Sequence, residues 1–86
     1  MDNRASPAVM AALKEALEAQ IAADDPPETR LTLARLQREG IPQDEAWRWL
    51  SAVLLQEIAL IMRDNRPFDR EGYIVALHQL PQLRDR

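Results

Sequence analysis

A carboxylate on the apolar face of a helix must either be satisfied by a partner or stand ready for chemistry, and Glu57 occupies such a place. On a wheel of about 100° per residue it falls between Ala46 and Leu50, close to the middle of an apolar arc. Three readings are open. The carboxylate pairs with an arginine or accepts a hydrogen bond from Tyr73 or a tryptophan indole; it is a ligand or proton site sharing its work with Tyr73 or His78; or it reaches solvent. The second reading makes the chain a small-ligand or metal-binding helical domain.

The remaining inventory points away from catalysis. Ser6 and Ser51 are the only serines and neither has an evident base. With no cysteine there is no thiolate nucleophile, thiolate zinc site or disulfide. His78, the single histidine, stands near the end of a short helix, where a solvated or dipole-paired imidazole is the ordinary case. Di-metal sites in helical bundles use Glu-x-x-His pairs, and here Glu71 precedes His78 by seven residues. Gly40 and Gly72, the only glycines, do not make a phosphate loop. The expectation is a protein without catalytic residues, metal or cofactor, and not an enzyme.

Nucleic acid and membrane are also disfavoured as partners. Arg30, Arg35 and Arg38 lie between Glu28 and Glu39 with no interleaved aromatic residue, which reads as a solvated helix face. Net charge is −3, and the chain up to Glu45 carries −4 against +1 for the remainder, too weak an asymmetry to imply an anionic partner. Arg48, Gln56 and Glu57 interrupt the longest apolar segment, and no stretch approaches the roughly 20 apolar residues that a bilayer requires. The opening Met-Asp-Asn-Arg lacks a basic segment leading into an apolar one, so a cytoplasmic protein is expected.

Helices must position all of these residues. The periodicity predicts an all-α bundle of four, about 7–23, 26–39, 43–64 and 70–80, the last one short. They form a single domain over 1–86, with 1–5 and 84–86 as mobile tails and Leu83 able to fold back. Ser6 caps the first helix and Pro7 opens it; Met10, Leu13, Leu17 and Ile21 make its seam, with Gln20 as a boundary residue reaching solvent or a backbone carbonyl. Asp25 as N-cap and Glu28 three residues on have capping-box spacing. Thr29, Leu33, Leu36 and Gly40 face inward, and Gly40 followed by Ile41 has the form of a Schellman ending. The helix from Asp44 to Arg63 carries an apolar arc wider than half its circumference, more than one partner can cover, so it is central. Asn65 can turn left-handed after it, Asp69 caps the last helix, and Phe68 staples onto Tyr73. Leu13, Leu17, Leu36, Leu50, Val53, Leu54, Ile61 and Leu77 are expected to be buried.

Several of these residues resemble a pattern found in small uncharacterised bacterial helical proteins of a domain-of-unknown-function family. The likeness runs over about 17–83: Ala19-Gln20-Ile21, Pro26-Pro27-Glu28-Thr29-Arg30, Arg35-Leu36, Gly40, Glu45-Ala46, Glu57-Ile58, Pro67-Phe68-Asp69, Tyr73 and Leu80-Pro81. It implies a helical, bacterial, cytosolic protein and no reaction. Some chains of this type carry His-Glu-Ala-x-His at the start of the central helix; here those positions are Asp44-Glu45-Ala46-Trp47-Arg48, so a metal role does not carry over.

The function expected is association with protein. Trp47 and Trp49 point about 160° apart on one helix, so they face different neighbours, or one of them lies on the surface. Three other helices can cover the Leu50 side of the central helix, leaving a second stripe, Trp47, Ser51, Leu55, Ile58 and Met62, to meet another chain. A homodimer is the favoured partner arrangement and an unknown protein the other. Small Ser51 would let two copies approach closely. In the competing arrangement the last helix or Leu83 covers this flank and leaves a monomer.

Overall fold

The computed structural model describes residues 6–81, which form four helices and no strand. The expected tails and the position of Leu83 lie outside the described residues. Helix α1 spans Pro7–Ala23; the Ser6 hydroxyl accepts from the Val9 N–H at 3.2 Å, and Pro7 sits where no donor is needed. It stops where Asp24 turns left-handed (φ 54°), so that the amides of Asp24 and Asp25 bond back to the carbonyls of Ile21 and Gln20.

Helix α2 spans Pro27–Arg38, one residue shorter at each end than the expected 26–39. The predicted Asp25–Glu28 capping box does not form. Pro26 is the extended residue before the helix, which puts Glu28 at the second helical position and leaves Asp25 outside the cap. The Asp25 carboxylate instead accepts from Arg70 at 2.7 Å. At the other end the expected Schellman turn is present: Gly40 has φ 93°, its amide donates to Gln37, and the Ile41 amide donates to Leu36.

Helix α3 spans Gln43–Asp64, with Asp44 and Glu45 in its first turn and Arg63 in its last, each suited to the helix dipole. Helix α4 spans Arg70–His78. Asp69 caps it by accepting from the Gly72 N–H at 3.0 Å, and the Phe68 and Tyr73 rings meet at 5.2 Å as the staple requires. It ends two residues before the expected Leu80. Pro81 disfavours a helical Leu80, whose amide closes a tighter turn onto Leu77 while its side chain is buried.

Helices α2 and α3 each pack against the other three, whereas the backbones of α1 and α4 are not neighbours among the described residues. The core draws one fully buried leucine from each helix: Leu17, Leu36, Leu50 and Leu77. Ala46, Val53, Leu54, Leu13, Tyr73 and Leu80 complete it. Ile61, expected there, is only half-buried; it lies in the last turn of α3 beside the exposed Met62 and Arg63. Trp47 and Trp49 are both half-buried against the core on different sides of α3.

Candidate functional site

Asn65 decides the surroundings of Glu57. Its left-handed backbone (φ 50°) reverses the chain after α3, and the Arg66 amide bonds back to the Ile61 carbonyl. That reversal carries the Arg66 side chain alongside α3, where its two terminal nitrogens bond both Glu57 oxygens at 2.9 and 3.0 Å. Such fork-to-fork pairing is the strongest geometry an arginine and a carboxylate can adopt. Glu57 Oε2 also accepts the Asp69 N–H at 2.9 Å, and Arg66 donates to the Pro67 carbonyl at 2.7 Å. Glu57, 6% exposed, thus holds the whole connection between α3 and α4.

The Arg66 guanidinium holds the Glu57 carboxyl below its ordinary range; burial opposes this and the Asp69 N–H assists it. A carboxylate so engaged is ionised and already has its partners. The structure does not join it to the groups first considered with it. Glu57 and Tyr73 line one cleft of about 190 Å³ between α3 and α4, together with Gln56, Arg66 and Gln79, but the Tyr73 hydroxyl turns elsewhere. His78 is exposed and lines no part of that cleft. Among the described residues no three or more His, Cys, Asp or Glu side chains gather where a metal ion could sit.

Tyr73 points across the bundle to α1. Its hydroxyl donates to Gln20 Oε1 at 3.2 Å, and Thr29 Oγ1 donates to the same oxygen at 2.7 Å, so one amide carbonyl ties α1, α2 and α4. Gln20 therefore reaches two side chains rather than solvent or a backbone carbonyl. Its place beside the α1 seam, and that of Thr29 on the inward face of α2, were the only sequence signals of this link. Burial pushes the Tyr73 phenol above its ordinary range. Tyr73→Phe keeps the packing and removes one donor from a carbonyl that retains Thr29; the expected cost is about 0.5–1.5 kcal/mol. A raised folded-state pKa means that stability is full below the unfolded phenol value of about 10 and is lost as pH rises through the folded value. Urea melts at pH 8 and 11 should show an alkaline loss in the wild type that is smaller in Tyr73→Phe.

Two of the three arginines of α2, Arg30 and Arg35, are likewise engaged. Arg30 pairs with Asp24 at 2.9 Å, and Arg35 bonds Glu39 at 3.0 Å and the Leu77 carbonyl at 3.2 Å, tying α2 to α4.

The predicted interface stripe divides in two. Ser51 is buried and Trp47 half-buried, with the Lys14 ammonium of α1 lying 5.9 Å from the Trp47 ring centre. Ser51, being buried, cannot serve as a point of close approach for another chain. Beyond it Leu55, Ile58 and Met62 are 39%, 36% and 76% exposed, and Ala52 and Ala59 are exposed beside them. No helix among the described residues is long and apolar enough to cross a membrane. The chain matches no protein-family model, no characterised protein and no solved structure.

Proposed function

We propose that this protein is a non-enzymatic helical module acting through protein–protein association, with self-association through the free face of α3. The observation that carries the reading is the run of exposed Leu55, Ile58 and Met62 on one face of the C-terminal half of α3. Apolar side chains on one helical face gain free energy when a second surface removes them from water, and a closed two-fold pair is the commonest way to supply that surface. The engagement of Glu57 by Arg66 and Asp69 supports a structural duty for this buried carboxylate, and so favours association over ligand binding. The resemblance to small bacterial helical proteins supports a bacterial, cytoplasmic setting.

Sedimentation equilibrium tests the reading directly. The mass should rise from monomer toward dimer with concentration, and Leu55→Glu with Met62→Lys should give folded monomers throughout. Both positions are exposed, so melting of the dilute double variant should stay within about 0.5 kcal/mol of wild type. A wild-type chain that remains monomeric at about 1 mM, where weak association registers, overturns the proposal.

A further inference from the structure

We infer that the free face of α3 is built to meet its own copy in an antiparallel sense, about a two-fold axis level with residue 57 and on the side of the helix away from the buried Glu57 side chain. This rests on the association reading above and adds the partner's orientation. Ala52, Leu55, Ala59 and Met62 are all exposed and follow one another at intervals of three, four and three residues, the spacing of a coiled-coil seam. Along that seam small and large side chains alternate. In a parallel, in-register pair, alanine would face alanine and leave gaps, while Leu55 would meet Leu55 and Met62 would meet Met62.

Reversing one helix removes the mismatch. With the axis level with residue 57, Leu55 lies opposite Ala59 of the second copy and Met62 opposite Ala52, so every level pairs a large side chain with a small one. The alanines let the helix axes approach toward the short end of the usual range, about 8 Å. Ile58, on the flank of the seam and next to the axis, lies beside its own copy.

Charge favours the same orientation. Arg48 and Arg63 are exposed at the two ends of the seam, and a parallel pair would set each against its own equivalent. In the antiparallel pair Arg63, paired with its own Asp64 at 2.9 Å, lies level with Ser51, and Arg48, which is within 3.9 Å of its own Asp44, lies just beyond the Asp64 end of the second helix, so neither meets its equivalent. The helix dipoles then run in opposite directions.

The absence of cysteine from the sequence permits a clean test. Ala52→Cys and Met62→Cys chains are mixed in equal amounts and joined with a short bismaleimide, and the products are mapped by peptide mass. The antiparallel pair yields 52-to-62 links, because equivalent cysteines at 52 stand about 15 Å apart along the axis, from a rise of about 1.5 Å per residue. Ala59→Leu, which fills the recess opposite Leu55, should raise the dimer dissociation constant at least tenfold while leaving the melting of the dilute monomer no lower than wild type. Dimers that give 52-to-52 and 62-to-62 links overturn the orientation and leave self-association standing. A wild-type monomer at about 1 mM overturns both and leaves the face to a helix of another protein.

Discussion

Leu50→Ala should lower stability by about 2–5 kcal/mol, the range for deleting most of a fully buried leucine and leaving a partial cavity. Leu50 is wholly buried on the one helix that, with α2, touches all the others, so no neighbour can close the gap without moving a second helix. For 86 residues the total stability expected is about 4–13 kcal/mol, and the substitution removes a large share of it. At about 4–8 °C per kcal/mol the melting temperature should fall by roughly 8–40 °C. Leu31→Ala is the control, since Leu31 is exposed on α2 and should cost little. Equal drops for the two variants would refute the packing described.

The central place of Leu50 was legible in the sequence because burial of a long amphipathic helix follows from periodicity alone. So were the bounds of α1 and α3, where Ser6-Pro7, the acidic first turn of α3 and Asn65 mark ends by local backbone chemistry. The α2 cap failed because extended Pro26 takes the N-cap position one residue after the expected Asp25, which is left in the turn that follows left-handed Asp24. Ile61 and Ser51 were misplaced for a shared reason. A helical wheel gives the angle of a residue but not the height at which a neighbouring helix crosses: Lys14 of α1 meets Trp47 and Ser51 is buried, while Leu55 and Met62 on the same stripe stay exposed. The contacts of Glu57 were legible in kind and not in identity. An arginine partner was among the alternatives, but Arg66 reaches Glu57 only through the reversal at Asn65, and hydrophobic pattern is silent on where a connecting segment sends its side chains. Gln20 and Thr29 were visible as inward-leaning polar residues, yet their meeting with Tyr73 depends on a separation of 53 residues that no local rule spans.

Glu57→Gln should preserve the fold and cost roughly 2–3 kcal/mol, somewhat below the 3–5 typical of breaking a fully buried pair, because the Arg66 side chain is 26% exposed and can turn partly to water. Glutamine can still accept the Asp69 N–H, but it presents an amide N–H₂ where Arg66 needs a second acceptor, so the fork is lost and the connection from α3 to α4 loosens. The pH dependence carries the same signature with a definite sign. Glu57 has a folded-state pKa below its unfolded value of about 4.3, so its contribution is complete above that value and disappears as pH falls through the folded one. Wild type and Glu57→Gln should therefore differ most at neutral pH and converge in acid. Adding Arg66→Gln to Glu57→Gln should change stability far less than Arg66→Gln does alone, since the partner that gave the guanidinium its value has gone. Chemical denaturation of the four proteins at pH 7 and pH 3 measures all of this. Unchanged or raised stability in Glu57→Gln would mean that the carboxylate is held at a cost to the fold, the behaviour of a ligand or proton site, and the structural duty assigned to Glu57 would have to be withdrawn.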